Sequence, residues 1–363
     1  MNGTVMNGTV HVVVPGDIDD PAAPSGGNIY DRRVCRGLAA QGFPVHEHAM
    51  PGAWPQPGPS DRDNLAGVLA RLPDGAATLV DGLVASAVPE LLAPQADRLR
   101  LVILVHMPLG DDSPALRSVE GQAFSASAAV VTTSEWSRAR LVQLYPRLAG
   151  RVHVAAPGAD LASPTPPSPG GSRLLCVAAL APHKGHDVLV DALARIEDLS
   201  WSCVCAGSLD LDPDFAARIR VRAKESGLDD RLAFPGARAG RELDAAYATA
   251  DLLVVPSRGE TYGMVVTEAL ARGVPVVASA AKGLPEALGR APDGRLPGIL
   301  VPPGDAPALA GVLRRWLHEP ALRSRLVRSA LDRRETLAGW ETTTRRVARV
   351  VTGVLGGSAW PAP

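Results

Sequence analysis

The sequence has few aromatic residues, almost no net charge and no long apolar run. Aromatic side chains make up 4% of its 363 residues, too few for the stacking surfaces of proteins that bind single-stranded nucleic acid. The formal net charge of -1 gives no bulk attraction to nucleic acid either. No stretch reaches the roughly 18 apolar residues of a membrane-spanning helix, and the first residues lack the basic-then-apolar pattern of a secretion signal. We therefore predict a cytoplasmic protein without a transmembrane segment.

Cysteine is also scarce, with four residues in the chain. Cys176, Cys203 and Cys205 lie in apolar, strand-like runs, where cysteine behaves as a small hydrophobic residue. No Cys-x-x-Cys spacing appears, which argues against a zinc or redox site and fits a reducing compartment.

Apolar residues are plentiful, at 46% of the chain, and occur in short runs that alternate with helical segments. This rhythm is typical of α/β domains with parallel sheets. It is interrupted by a stretch rich in Pro, Ser and Gly at 163–171, which cannot hold regular structure. We therefore predict two doubly wound halves that face a central cleft. The predicted bounds are 6–160 for the first domain, 161–171 for a linker, 172–335 for the second domain, 336–354 for a helix that returns to the first domain, and 355–363 for a disordered tail.

Two carboxylates bracket the most informative segment of the second half. Glu260 and Glu268 are separated by seven residues, among which Gly263 marks the entrance of a predicted helix. Glu260 is expected in the loop before this helix, and Glu268 two turns inside it. Carboxylates at these two places can accept hydrogen bonds from two hydroxyl-bearing parts of one ligand. The spacing therefore suggests a ligand such as a sugar attached to a nucleotide.

Other polar or small residues follow predicted strands or precede predicted helices. Lys184 lies in a loop between a strand and a helix, where its ammonium group would be a point charge for a diphosphate. His106 ends a buried strand, a position from which it could contact a substrate. Gly26 and Gly27 lie in the loop before the first predicted helix. No Gly-x-Gly-x-x-Gly follows the first strand, which argues against a dinucleotide-dependent dehydrogenase.

Taken together, these segments resemble the retaining glycosyltransferase family 4, which has the GT-B fold of two Rossmann-like domains. The family's Glu-x7-Glu motif corresponds to Glu260 and Glu268. The resemblance extends from Val10 to about Val351, and four flanking segments carry it: 251–257, 268–277, 298–305 and 339–341. It implies a metal-independent hexosyl- or glycosyltransferase without a cofactor, which moves a sugar from a nucleotide-diphosphate sugar to an acceptor hydroxyl.

The resemblance also implies roles for individual residues. Glu260 would contact hydroxyls of the transferred sugar, Glu268 the ribose hydroxyls and Lys184 the diphosphate. His106 would contact the sugar. Glycine at the helix entrance would let the ligand approach the backbone. The remaining donor contacts would come from the amides of Tyr262, Gly263 and Met264 and from the Gly26-Gly27 pair.

One position departs from the family pattern. Five residues before the lysine of the phosphate loop the family usually has an arginine, whereas this chain has Ala179. Losing that cation predicts weaker phosphate binding unless another one substitutes, and Arg258 and Lys282 in neighbouring loops are the candidates. The alternative is a member of the family that binds a nucleotide sugar with weak or no catalysis.

Further interpretations stay open at this point. A nucleotide-sugar 2-epimerase or a phosphorylase would share the GT-B fold, and a two-domain binding protein would share the cleft. Asp-x-Asp sequences beginning at Asp17, Asp61 and Asp210 could hold a metal, although Asp is expected in such loops and helix starts for capping. The basic stretch from Arg138 to Arg151 is compatible with peripheral membrane contact or with a solvated helix face. The acceptor could be a small molecule, a glycan or a lipid-linked molecule.

Overall fold

The computed structural model describes residues 8–20 and 25–356. They divide into two compact units, of which the first contains residues 8–20, 25–158 and 340–356 and the second contains residues 159–339. The predicted disordered tail lies, apart from its first two residues, outside the described range.

The first unit is built on a six-stranded parallel sheet with the strand order β2-β1-β3-β4-β5-β6. Its inner strands are rich in Val, Leu and Ile and are buried along nearly their whole length, as expected for a parallel sheet covered on both faces. The strands are β1 Val10–Pro15, β2 Val45–Met50, β3 Ala77–Asp81, β4 Arg100–Val105, β5 Ala129–Thr132 and β6 Val152–Val154. The helices that connect them are α1 Gly26–Ala40, α2 Pro59–Arg71, α3 Gly82–Ala87, α4 Pro89–Leu92, α5 Leu109–Asp112, α6 Pro114–Ser125 and α7 Glu135–Leu144.

The second unit repeats this plan with the strand order β12-β11-β10-β7-β8-β9, again entirely parallel. Its strands are β7 Arg173–Val177, β8 Ser202–Ala206, β9 Leu232–Gly236, β10 Leu252–Val255, β11 Val276–Ser279 and β12 Gly298–Val301. Its helices are α8 His186–Ala194, α9 Pro213–Glu225, α10 Gly240–Thr249, α11 Met264–Leu270, α12 Leu284–Leu288, α13 Ala306–His318 and α14 Pro320–Arg334. The predicted α/β class with two parallel sheets is therefore confirmed.

The last described helix of the chain belongs to the first unit. Helix α15, Trp340–Gly356, packs Val347 and Val351 into the apolar cluster that also contains residues of β1 and α1. Within the described ranges, no helix is both long enough and apolar enough to span a membrane.

The Pro-rich segment has no regular structure but is held against the second unit. The amide of Thr165 donates to the carbonyl oxygen of Arg272 at 2.8 Å. Asp251 accepts from both the amide and the hydroxyl of Ser168, at 2.7 and 2.6 Å. This segment therefore follows a defined path over the second unit.

Candidate active site

The carboxyl edge of the second sheet brings three loops together. Strands β7, β10 and β11 are neighbours in this sheet, and neighbouring parallel strands end at the same edge. The loop after β7 carries Lys184, the loop after β10 carries Glu260, and the loop after β11 carries Lys282. The last two loops are joined by the amide of Gly283, which donates to the carbonyl oxygen of Glu260 at 2.7 Å. Three residues singled out from the sequence thus occupy adjacent loops.

Lys184 and Glu260 form an ion pair at this edge. Nζ of Lys184 lies 2.6 Å from Oε1 of Glu260, and the hydroxyl of Ser257 donates to the same oxygen at 3.1 Å. The two side chains are 22% and 17% exposed, so the pair is reachable by a ligand but shielded from bulk water. The loops that carry Lys184 and Glu260 can come this close because residue 185 is glycine. Its φ is 72°, and a Cβ there would lie 2.2 Å from the carbonyl oxygen of Pro256.

Arg258 lies in the same loop as Glu260, but its charge is already paired. Its two terminal nitrogens donate to the two carboxylate oxygens of Asp187 at 2.8 and 2.6 Å, and one of them also donates to the carbonyl oxygen of Pro182 at 2.7 Å. Burial would raise the pKa of Asp187, but the hydrogen bonds and charge of Arg258 outweigh burial and lower it. Arg258 therefore ties two loops together and adds little net positive charge to the site.

Glu268 lies in helix α11, in its second turn. The helix is only seven residues long, so the predicted depth of two turns is wrong. Oε2 of Glu268 accepts a hydrogen bond of 2.8 Å from the hydroxyl of Tyr247, which was not identified from the sequence. Burial raises the pKa of Glu268, and the hydrogen bond from Tyr247 and the nearby charge of Arg272 offset part of the rise. The carboxylate is thus oriented by a fixed donor.

The predicted backbone contacts lie at the start of the same helix. Met264 is its first residue, Gly263 precedes it with a φ of 95°, and Tyr262 is half-buried against the core. A Cβ on Gly263 would lie 2.5 Å from Cδ2 of Leu284. The positive φ of Gly263 and its contact with Leu284 therefore favour glycine here, and the close approach of a ligand expected from the sequence stays a prediction.

A second polar cluster surrounds His106 in the first unit. Nε2 of His106 lies 2.7 Å from Oδ1 of Asp31 and 3.5 Å from Oδ2 of Asp81, and both carboxylates are buried. Burial alone would lower the pKa of His106, but the two carboxylates outweigh it and raise the pKa to about 9. Burial and the charge of Asp31 raise the pKa of Asp81 to about 7. Neither aspartate was identified from the sequence. Asp81 nevertheless ends a buried strand, which is the same kind of position that pointed to His106.

Gly26 and Gly27 were predicted to lie in the loop before the first helix, and this prediction is wrong. They are the first two residues of α1, because the extended backbone ends at Ser25. A Cβ on Gly27 would lie 3.1 Å from Cδ2 of His106, so the helix start packs directly against the imidazole. Gly27 therefore borders the His106 cluster within the first unit.

Two groups among the described residues bring possible metal ligands within 4.8 Å of one another. One is the His106 cluster. The other is formed by Cys176, His186 and Cys205 in the core of the second unit, with Sγ of Cys176 3.8 Å from Nε2 of His186. The hydrogen bond from Cys205 lowers the pKa of Cys176 to about 5. The predicted burial of Cys176, Cys203 and Cys205 is confirmed, and these thiols are not in disulfides.

The aspartates of the Asp-x-Asp sequences mainly stabilise helix starts and surface pairs. Oδ2 of Asp61 accepts from the amide of Gly58 at the start of α2, and Oδ1 of Asp212 accepts from the amide of Phe215 at the start of α9. Asp19 pairs with Arg32. The capping role expected from the sequence is therefore observed.

The regions of this chain that match known proteins include residues of both halves. The family described as Glycosyl transferases group 1 matches residues 164–333. A D-inositol 3-phosphate glycosyltransferase of Frankia alni is 33% identical over 66% of this chain, which spans only 62% of that relative's length. D-inositol 3-phosphate glycosyltransferase 1 of Catenulispora acidiphila is 30% identical over 78% of this chain and 71% of its own length.

The fold has solved counterparts as well. The structure of Anabaena Alr3699/HepE in complex with UDP and glucose is similar with a TM-score of 0.75 and 19% identity, and the match covers 95% of this chain and 100% of that one. The GT-B architecture expected from the sequence, with two parallel α/β units, is thereby confirmed. From the extent of its match to the Catenulispora relative and to the family over the second unit, this chain belongs to the group 1 glycosyl transferases.

Proposed function

We propose that this chain transfers a sugar from a nucleotide-diphosphate sugar to an acceptor hydroxyl, with retention at the anomeric carbon and without a metal ion. One observation carries the proposal: the loop after β10 holds Glu260 in an ion pair with Lys184 and leads directly into helix α11, where Glu268 accepts a hydrogen bond from Tyr247. UDP and glucose in the similar Anabaena structure support a nucleotide sugar as the ligand class.

Each of these residues contacts a different part of the donor. Lys184 takes the diphosphate, Glu260 the hydroxyls of the sugar and Glu268 those of the ribose. Lys184 also holds the carboxylate of Glu260 in position, because Nζ and Oε1 are 2.6 Å apart before any donor arrives. As the sugar departs, negative charge develops on the diphosphate, and a preorganised ammonium group stabilises it more than the ground state. The departing phosphate accepts the acceptor's proton, so no protein base is assigned.

The His106 cluster offers the first unit a substrate site of a different kind. Its imidazolium donates and its carboxylates accept, which suits the hydroxyls of a sugar or a cyclitol. Gly27, at the start of α1, packs against this cluster. Because the matched relatives are named for D-inositol 3-phosphate, that compound is the first acceptor to test.

The proposal is tested with the intact purified chain and a panel of UDP-, GDP- and ADP-sugars, each with and without D-inositol 3-phosphate and with EDTA present. Mass spectrometry detects the glycosylated product, and the proton coupling at the new anomeric centre reports retention. Inactivity in EDTA that returns with a divalent metal would contradict the metal-independent mechanism, and an epimerised donor would favour an epimerase. Binding without turnover would favour the weakly catalytic alternative suggested by Ala179. No binding of any donor would refute the proposal.

A further inference from the structure

We propose that Cys176, His186 and Cys205 form a structural zinc site in the core of the second unit. One ligand atom of each residue lies within 4.8 Å of the other two, and all three side chains are buried. The site shares no residue with the ion pair of Lys184 and Glu260, so the inference stands apart from the proposed function. A zinc ion here holds a helix to the sheet and takes no part in sugar transfer.

The two thiols come from neighbouring strands of the second sheet. Cys176 in β7 is paired in register with Cys205 in β8, and the two strands are parallel. Side chains of such a pair point to the same face of the sheet, from strands about 4.8 Å apart. Both cysteines are 1% exposed and belong to the apolar cluster that also contains residues of helix α8. The sheet therefore presents two sulfur atoms side by side beneath this helix.

His186 is the first residue of α8 and brings an imidazole to these thiols. The residue is fully buried, and its Nε2 lies 3.8 Å from Sγ of Cys176. Its Nδ1 is one of three buried side-chain nitrogen or oxygen atoms within 8–20 and 25–356 that have no hydrogen-bond partner. Burying an unpaired polar atom is costly, so hydrogen bonding of the ring does not by itself account for a histidine at this position.

The separation of the sulfur and nitrogen atoms fits a metal ion between them. Zinc bonds of about 2.3 Å to sulfur and about 2.05 Å to nitrogen that meet at about 120° place the two atoms about 3.8 Å apart. The distance between Sγ of Cys176 and Nε2 of His186 has this value. A direct hydrogen bond between thiol and imidazole would also bring these atoms together, and the metal content of the chain distinguishes the two arrangements.

The ligand types and the charge balance favour zinc. Thiolate and imidazole bind Zn²⁺ well, whereas Ca²⁺ and Mg²⁺ require oxygen ligands. Two thiolates neutralise the two positive charges of Zn²⁺, and the imidazole is neutral, so the centre as a whole carries no net charge. The same ligands around Cu⁺ would leave a negative charge in the core, where an isolated charge is costly.

The ligands are spread along the chain, which explains why the sequence gave no sign of the site. Cys176 and His186 are 10 positions apart, and Cys205 lies in the next strand. The expectation of no zinc site rested on the missing Cys-x-x-Cys spacing, whereas here strand pairing brings the thiols together. Because His186 follows Lys184 by two positions, the ion would also anchor the start of α8 and the loop before it.

The test measures the zinc content of the intact chain after refolding with zinc chloride and a phosphine reductant, followed by dialysis. We expect about one zinc ion per chain in the wild type, and a zinc affinity at least about 100-fold weaker in Cys205→Ala and in His186→Leu. Cys203→Ala is the matched control, because it removes an equally buried thiol of the same strand that is not in the ligand set. Zinc should raise the melting temperature of the wild type and of this control, but not that of the two ligand variants.

Two outcomes would overturn the site. Zinc retained equally by Cys205→Ala and Cys203→Ala would show that the ion lies elsewhere. The wild type refolded with Co²⁺ needs no substitution: a sulfur-to-cobalt charge-transfer band supports thiolate ligation, and a folded cobalt-treated chain without this band overturns the site even if a variant fails to fold.

The result is independent of the sugar-transfer reaction. A wild type that transfers sugar but holds no zinc would overturn this inference and leave the proposed function standing, whereas zinc binding without binding of any donor would do the reverse. Because its ligands are buried, the ion should be extracted by EDTA only from the unfolded chain. Loss of transfer when EDTA is added to the folded chain therefore bears on the reaction and not on this site.

Discussion

The geometry of the His106 cluster predicts how the stability of the first unit changes with pH. Asp31 at 2.7 Å and Asp81 at 3.5 Å raise the pKa of His106 from 6.5 to about 9 in the folded chain. Each pKa unit corresponds to about 1.4 kcal/mol, so the imidazolium stabilises the fold by about 3 kcal/mol. Because the folded pKa is the higher one, this stability is fully present below pH 6.5 and is lost as the pH rises through about 9.

The ionisation of Asp81 also lowers the stability of the folded chain as the pH rises. Burial and the charge of Asp31 raise the pKa of Asp81 from 3.8 to about 7, so the folded chain holds this proton more tightly than the unfolded chain does. The folded state therefore loses stability relative to the unfolded state as the pH rises through 7. Both groups predict a first unit that is more stable in mild acid than in mild base.

Asp31→Asn removes the nearer carboxylate and is the decisive perturbation. We expect the pKa of His106 to fall by roughly 1–2 units, because burial, which lowers it, is then opposed by Asp81 alone. NMR titration of the imidazole proton measures the pKa, and His106→Gln identifies its resonance among the eight histidines. Asp198→Asn, which breaks an exposed pair with Arg314, serves as control and should leave this titration unchanged. A midpoint near 6.5 in the wild type, or one that Asp31→Asn does not move, would refute the reasoning.

Three other substitutions have expected outcomes. Glu260→Gln should lower kcat by about 100-fold or more while nucleotide affinity, measured by calorimetry, changes little; an unchanged kcat would contradict its role. Tyr247→Phe removes the donor to Glu268 and should raise the Kd for nucleoside diphosphates severalfold, whereas an effect on melting temperature alone would indicate a structural role. Gly185→Ala should destabilise the second unit by at least about 2 kcal/mol in urea unfolding, because its Cβ would meet the carbonyl oxygen of Pro256; wild-type stability would contradict that contact.

Apolar runs predicted the sheets well because burial leaves a local trace in the sequence. Strand β10, Leu252–Val255, coincides with a run of four consecutive apolar residues that can be recognised in the sequence alone. Helix α2, Pro59–Arg71, carries a weaker signal, because only Leu65 and Leu69 on it are buried and residues 60–64 are all polar. Elements that bury little surface carry little periodicity.

The site was predictable where a residue's position along the chain defines its place at a sheet edge. Lys184 and Glu260 follow buried strands, and the structure brings them together. The pairing of Arg258 with Asp187 was not predictable, since these residues are 71 positions apart and either would be unremarkable alone. Asp31 is equally hidden, because an aspartate inside a helix is usually solvated and only tertiary packing buries it beside His106.

The return of helix α15 to the first unit has a consequence for the order in which the two units form during synthesis. Residues 159–339 emerge from the ribosome as an uninterrupted segment that contains the whole second unit. The first unit, although it begins earlier, lacks Val347 and Val351 until residues 340–356 have been made. We therefore expect the second unit to reach its native fold first, and the first unit to keep an apolar surface open to chaperones until the last described helix arrives.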